Sequence, residues 1–210
     1  RYPAENVTYV PNGIPIPSMD VPGQESRNTP GRILNVARLS PVKNQKTLIS
    51  AFAQIAHRFP HSHLSIAGDG PCLSTLRRQI SNAGLNGRVT LHGFVSDLAA
   101  LYKSAEMVAL SSDAEGTPMA VLEAFSYAKP VVATSVGANA QVIEHGRTGY
   151  VVPPNDSDAF AGILAHMLAN PEDSMRMGLL GRQHIEKEHN SRIMAQRTID
   201  VFDRVLSGAI

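Results

Sequence analysis

The sequence has little cysteine, few aromatic side chains and almost no net charge. Its 210 residues include one cysteine, Cys72, and no tryptophan, so an internal disulfide is excluded and a reducing cytoplasm is indicated. The net charge of +1 gives no electrostatic case for nucleic acid or an anionic bilayer as a partner. No apolar run approaches the length of a membrane span, and membrane association is not visible. We therefore expect a cytoplasmic globular protein.

The length and the apolar content predict one folded domain. At 22.5 kDa, with hydrophobic residues making up 43% of the chain, the protein can bury a substantial core. No signal peptide is visible, and the chain starts at Arg1 rather than at methionine. We therefore expect a piece of a longer protein, whose upstream targeting signals cannot be read.

Strands and helices alternate along most of the chain. Residues 1–30 are rich in Pro, Asn and Ser and predict a linker or irregular lead-in. Apolar runs predict strands at 33–37, 63–67, 89–92, 107–110, 131–134 and 149–152. The segments between and after them predict helices at 45–58, 71–83, 97–104, 118–127, 140–144, 157–169, 171–189 and 191–206. This alternation predicts a Rossmann-like, doubly wound parallel sheet of about six strands with helices on both faces.

The most informative segment is 112–125, in which Glu115 and Glu123 bracket seven residues. The buried strand 107–110 ends just before it, Gly116 permits a tight turn, and Pro118 suits the first helical position. Such a junction presents unpaired backbone N–H groups and the positive end of a helix dipole, which attract phosphate. A carboxylate on either side of a phosphate matches a ligand with a phosphate between two polyols, which is a nucleotide sugar.

Two cations follow the first predicted strand. Arg38 and Lys43 lie just past residues 33–37, and Gly68, Phe94 and Glu115 also fall just past strand ends. Because open parallel sheets bind ligands at the carboxyl ends of their strands, these residues share one rim of the sheet. Fixed cations there would stabilise charge that grows on a leaving diphosphate. The alternative, which an isolated Arg38 and Lys43 would favour, is a pair of solvated surface charges.

The Glu115–Glu123 segment resembles the E-x7-E motif of retaining, nucleotide-sugar-dependent glycosyltransferases of family 4, which have the two-domain GT-B fold. Further segments resemble the family's other signatures in the expected order: 10–14, 35–43, 67–71, 93–95, 129–134 and 146–153. The resemblance covers nearly the whole chain but only the C-terminal half of the family's fold. It implies a lead-in at 1–30, a donor-binding domain at 31–190 and a crossover helix at 191–210. The N-terminal acceptor domain would belong to the rest of the full-length protein.

The resemblance also implies roles for individual residues. Arg38 and Lys43 would clamp the donor diphosphate, Glu115 would contact the hydroxyls of the donor sugar, and Glu123 would hold the ribose. Phe94 and Val95 would lie near the base and bind through their backbone. The distal phosphate would rest on the backbone of Gly116, Thr117, Pro118, Met119, Ala120 and Val121. No metal and no cofactor is implied, since the helix dipole and the cations replace a metal, and the donor would be UDP- or GDP-linked.

Several alternatives remain beside this reading. Glu115 could be an ordinary loop carboxylate, Glu123 a solvated helix residue or an ion-pair partner, and Phe94 plain core. Gly68 and Gly70 complete only part of a dinucleotide-binding motif, so a tight turn is the better interpretation and an NAD-dependent oxidoreductase is disfavoured. The histidines at 57, 61 and 63 straddle a helix end and a strand start, which makes a shared metal improbable.

The expected activity is transfer of a hexose from the donor to an unidentified acceptor, with retention by front-face displacement. The isolated chain should catalyse little or nothing. The rivals are half of a hydrolysing sugar-nucleotide epimerase and an inert nucleotide-binding module. Two departures from the family pattern stand out: Ala128 replaces a usual glycine, and Gln141 replaces a frequent glutamate. An apolar stripe on the last helix predicts packing on the missing half, or else on the chain's own sheet.

Overall fold

Six strands form one parallel sheet in the computed structural model, which describes residues 7–18 and 31–207. The strands are β1 (Arg32–Val36), β2 (His63–Ala67), β3 (Val89–Gly93), β4 (Met107–Leu110), β5 (Val131–Thr134) and β6 (Gly149–Val152). Their spatial order is β3-β2-β1-β4-β5-β6, and every neighbouring pair is parallel. The predicted Rossmann-like sheet is confirmed. Since the order reverses between β1 and β4, the sheet has a switch point there, where such folds bind ligands.

Eight α-helices connect and follow these strands in the described part of the chain. They are α1 (Gln45–Ile55), α2 (Leu73–Asn82), α3 (Ala99–Ser104), α4 (Met119–Ser126), α5 (Asn139–Val142), α6 (Ser157–Ala169), α7 (Pro171–Glu188) and α8 (Ser191–Leu206), with a short 3-10 turn at Pro41–Lys43. Helix α1 ends three residues before the predicted end. Phe59 directly precedes Pro60, which disfavours helical backbone at Phe59, and the chain turns before reaching it.

The sheet separates two hydrophobic cores. Ile33 and Met107 face a core built with α1, α2 and α6, whereas Leu34 and Val108 face a core built with α3, α4 and part of α7. Neighbouring residues of one strand therefore enter opposite cores, as the pleat of a β-strand requires. Both faces are covered by helices, which explains why the strands read as continuous apolar runs.

Ala128 has a left-handed backbone with φ of 54° at the turn between α4 and β5. The departure from the family's glycine therefore falls where a side chain strains the backbone. Helix α7 packs closely on the same turn, since a Cβ atom on Gly178 would lie 2.0 Å from the carbonyl oxygen of Ala128. The turn is thus fixed from outside by α7.

Residues 7–18 contain no helix and no extended strand, but they are attached to the domain. Ile14 is buried, its N–H donates to the His189 carbonyl, and its own carbonyl accepts from the Ser191 N–H. Much of the predicted 1–30 lead-in, and the last three residues, lie outside the described residues. The divisions at residues 31 and 191 stay a prediction.

Helix α8 buries no residue, and Phe202 on its apolar stripe is 61% exposed. The stripe is therefore not covered by the chain's own sheet. In the described ranges, no helix is both long and apolar enough to cross a bilayer.

Candidate functional site

A crevice opens where β1 and β4 part at the carboxyl end of the sheet. Backbone pairing between the two strands ends at Leu34 and Val108. One residue further, the buried side chain of Asn35 donates from Nδ2 to the Ala109 carbonyl at 2.7 Å. An amide side chain thus replaces a ladder hydrogen bond as the strands diverge. The loops that follow β1, β3, β4 and β5 surround this opening.

The loop after β1 rests on the turn after β2. The Leu39 N–H donates to the Asp69 carbonyl at 2.9 Å. A Cβ atom on Gly68 would lie 2.0 Å from the Ala37 carbonyl oxygen, and one on Gly70 would lie 2.4 Å from that of Leu39. These glycines are needed for the approach of two backbones, as their interpretation as a tight turn implies.

Arg38 borders a pocket of about 360 Å³ at the rim. Its side chain is exposed and forms no ion pair with any described residue, while its carbonyl accepts from Gln45 Nε2. The pocket is lined by Val36, Ala37, Arg38, Ala67, Gly68, Asp69, Phe94, Val95 and Leu98. Phe94 is 81% exposed, so the alternative that it belongs to the core is wrong. The structure therefore brings Arg38, Phe94 and Val95 together around one opening.

Lys43 and Glu115 are in direct contact. Lys43 Nζ donates to both carboxylate oxygens of Glu115, at 2.7 and 2.8 Å, and Ser112 Oγ donates to Oε1 at 2.6 Å. The two side chains are 26% and 12% exposed, so the pair is partly shielded from water. Neither residue is a solvated surface charge. Nothing in the sequence pattern predicts that these two residues, each assigned to a different part of the donor, bind each other.

The backbone of Glu115 is held by the loop after β5. Gly137 has φ of 54°, and a Cβ atom there would lie 1.9 Å from the Glu115 carbonyl oxygen. Thr134 Oγ1 donates to the Ser112 carbonyl on the same loop. The position of Glu115 is thus set by the close approach of the Gly137 backbone and by the hydrogen bond from Thr134.

The N-terminus of α4 offers fewer donors than the sequence predicts. Pro118 precedes the helix as its N-cap rather than starting it, and proline has no N–H. The N–H groups of Met119 and Val121 already donate to the carbonyls of Thr117 and Pro118, both at 2.9 Å. The predicted phosphate cradle of residues 116–121 is therefore reduced. Among the described residues, the N–H groups of Gly116, Thr117 and Ala120 meet no acceptor.

Glu123 lies on α4 and is held by a residue that the sequence did not single out. Tyr102 of α3 donates its hydroxyl to Glu123 Oε2 at 2.8 Å and is only 1% exposed. Its ring stacks on Tyr127 with centroids 5.1 Å apart. Burial, followed by the charge of Glu123, raises the pKa of Tyr102 well above its usual value. The sequence did carry one signal, because a tyrosine on the inner face of a helix needs a partner for its hydroxyl.

The histidines between α1 and β2 do not form a metal site. His57 and His61 are exposed, and His63 Nε2 lies 2.9 Å from Thr90 Oγ1. Across residues 7–18 and 31–207, no three His, Cys, Asp or Glu side chains are placed to share a metal ion. Burial and the charge of Arg32 lower the pKa of His63 below its usual value, which makes a cationic role unfavourable.

Two ionisable groups, half-buried Glu106 and buried Lys129, lie at the opposite, amino end of the strands. Glu106 Oε2 accepts from the Gly31 N–H at 2.6 Å, and Lys129 Nζ donates to the Lys103 carbonyl at 3.1 Å. Burial raises the pKa of Glu106 above its ordinary value and lowers the pKa of Lys129 to about 8. These groups are separate from the rim with the glutamates.

Known proteins share both the sequence pattern and the fold. A GDP-mannose-dependent alpha-(1-6)-phosphatidylinositol monomannoside mannosyltransferase of Mycobacterium tuberculosis is 28% identical over 215 residues, covering 94% of this chain and 56% of that protein. An alpha-D-kanosaminyltransferase of Streptomyces kanamyceticus is 34% identical over 147 residues, covering 69% of this chain and 38% of that protein. The chain thus spans about half the length, or less, of these relatives.

Solved structures agree with this relationship. HepE of Anabaena, crystallised with UDP and glucose, superposes with a TM-score of 0.77 at 25% identity, covering 83% of this chain and 48% of that one. The enzyme TarM of S. aureus gives a TM-score of 0.85 at 20% identity, which supports the fold alone. The family model of glycosyl transferases group 1 matches residues 20–184. The chain is therefore a member of the glycosyl transferases group 1 family, with the Rossmann-like fold of a GT-B half.

Proposed function

We propose that this chain is the donor-binding domain of a retaining glycosyltransferase, which transfers a hexose from a nucleoside diphosphate sugar to an acceptor. The single observation that carries the proposal is the Lys43–Glu115 pair beside the free N–H groups that precede and open α4. A cation and N–H donors suit a phosphate, and the carboxylate beside them suits the hydroxyls of a sugar. The family membership supports the same chemistry class.

The rim supplies groups for each part of such a donor. The pocket beside Phe94 and Val95 fits a base, Arg38 and Lys43 fit the diphosphate, and Glu123 fits the ribose. When the bond from the sugar to the diphosphate breaks, negative charge grows on the leaving diphosphate. Fixed cations and N–H groups stabilise that charge without a proton transfer. In this proposal no metal is needed, and the leaving phosphate assists deprotonation of the acceptor during front-face displacement.

The contact between Lys43 and Glu115 would couple binding of the diphosphate to binding of the sugar. A diphosphate that attracts Lys43 Nζ would draw it from Glu115, which is then bound by Ser112 alone and is free to accept from sugar hydroxyls. Phosphate binding would therefore prepare the sugar site. We therefore expect both residues to matter for the complete donor rather than for the nucleoside.

The relatives support a choice of donor bases to test and a protein partner. One relative is named as GDP-mannose-dependent, and a structural neighbour was crystallised with UDP, so uridine and guanosine diphosphates are the donors to test. The chain covers 56% of the mannosyltransferase, which supports an N-terminal acceptor domain in the same full-length protein. We place this protein in the cytoplasm and expect little catalysis from the chain alone. The transferases among the relatives favour transfer over epimerisation or an inert module.

The test is calorimetric titration of the chain with UDP, GDP, uridine and guanosine. We expect Arg38→Ala and Lys43→Ala to weaken the better diphosphate about 10- to 100-fold, because each removes a charge-assisted hydrogen bond. Nucleoside binding should change less than about threefold. Lys46→Ala is the matched control, since Lys46 is an exposed cation that lies three residues beyond Lys43 at the start of α1. Equal weakening of diphosphate and nucleoside would contradict the proposed clamp.

A further inference from the structure

Helix α3 connects the pocket at Arg38 with the carboxylate of Glu123. Leu98 lines that pocket and is the N-cap of α3, and its carbonyl accepts from the Tyr102 N–H at 2.9 Å. One turn further, the Tyr102 hydroxyl donates to Glu123 Oε2. A single helical turn therefore joins the opening that would hold the base to the carboxylate that would hold the ribose.

We propose that Tyr102 is a positioning residue for the ribose of the nucleotide donor, an inference that rests on the proposed function. By binding Oε2, the hydroxyl fixes the carboxylate of Glu123 in one orientation. The second oxygen, Oε1, accepts no hydrogen bond from the described residues and is left for the ribose hydroxyls. Tyr102 does not touch the ligand and acts through Glu123.

The surroundings of Tyr102 suit this task. The ring is buried and stacks nearly parallel on Tyr127, with an angle of 4° between the planes. Tyr127 follows α4 directly, and its N–H donates to the Glu123 carbonyl at 3.3 Å. The stack therefore couples α3 to the helix that carries Glu123. Because its pKa is raised, Tyr102 keeps its proton and remains a donor.

The positioning role of Tyr102 can be tested in the intact chain with the variants Tyr102→Phe and Glu123→Gln and with the double variant. Tyr102→Phe keeps the ring and its stack and removes only the hydroxyl. Tyr127→Phe is the matched control, because it removes a hydroxyl from the same stack but leaves the hydroxyl that binds Glu123. Each protein is titrated with the better-binding diphosphate, UDP or GDP, and with its 2′,3′-dideoxy analogue.

We expect the parent chain to prefer the ribose form by about tenfold, as for a hydrogen bond to a charged group. Tyr102→Phe should reduce this preference to about threefold or less and leave binding of the dideoxy analogue unchanged, because the orientation of Glu123 is lost. Tyr127→Phe should retain the tenfold preference. Adding Tyr102→Phe to Glu123→Gln should remove no further preference, since both changes act on one contact.

Other outcomes overturn the inference in distinguishable ways. A parent chain that binds neither diphosphate would refute the proposed function and the role of Tyr102 together. A parent chain that prefers ribose, with Tyr102→Phe retaining that preference, would refute only the role of Tyr102. A Tyr102→Phe variant that weakens both ligands equally would show that the tyrosine merely supports the fold.

Discussion

Replacing Ala128 by glycine should stabilise the domain. Ala128 has φ of 54°, in the left-handed region where a Cβ atom crowds the following carbonyl. Glycine adopts this conformation without that conflict. Ala128 lines an open pocket beside Pro130 and Met175, so the substitution should leave no sealed cavity. Only the backbone terms should therefore change.

Two opposing terms set the magnitude. A left-handed alanine costs about 1–2 kcal/mol relative to its preferred conformation. Glycine also lowers the free energy of unfolding by about 0.4–1 kcal/mol, because it makes the unfolded chain more flexible. Taken at the middle of each range, the two terms leave a net gain in the free energy of unfolding of about 0.8 kcal/mol. For a domain of this size, such a gain raises Tm by about 1–4 °C.

The measurement is urea unfolding together with thermal melting of the parent chain and Ala128→Gly. Ala83→Gly is the matched control, because Ala83 is also the residue after a helix but has φ of −83°. The control should lose about 0.5–1 kcal/mol, since glycine there gains no backbone relief. If Ala128→Gly is destabilised as much as the control, the left-handed strain at Ala128 does not exist.

Two further changes test the loops and the opposite rim. Gly137→Ala should lower the free energy of unfolding by about 1–3 kcal/mol, because the new Cβ would strike the Glu115 carbonyl. It should also weaken binding of a sugar nucleotide more than binding of its nucleoside diphosphate. Unfolding and titration measure the two effects, and Gly146→Ala, strained but in open space, is the control. Equal effects at the two glycines would refute the role of that contact. At Lys129, the folded pKa of about 8 lies below the unfolded value of 10.5, so the unfolded chain holds more protons between these values. Stability should therefore rise from about pH 8 to 10, and Lys129→Met should flatten that rise in urea unfolding. An identical rise in both proteins would contradict it.

The fold was largely predictable because its signals are local. Strands β4, β5 and β6 are short apolar runs bounded by turn residues, and all three have the predicted bounds. Helix α8 also begins and ends as predicted. The errors lie at helix boundaries, where local backbone geometry decides. Pro118 precedes α4 instead of opening it, and α1 ends three residues early.

The identity of the rim residues was predictable, but their contacts were not. Lys43 and Glu115 are separated by 72 positions, and only the folded structure shows that they bind each other. Tyr102 acts on Glu123 through a contact between two helices, which no spacing within one helix reveals. Which amide groups of α4 stay free depends on the local backbone, and the sequence predicted more of them than the structure provides.

Three of the contacts between the loops around the crevice are main chain against main chain, at Gly68, Gly70 and Gly137. These contacts keep their geometry when outward side chains nearby are exchanged, since no side chain takes part in them. Under the proposed function, preference for another sugar or base could therefore change by point substitution at the opening of the crevice, without redesign of the loops. The fold does not tolerate a side chain at these three glycines, where even one methyl group would push two loops apart.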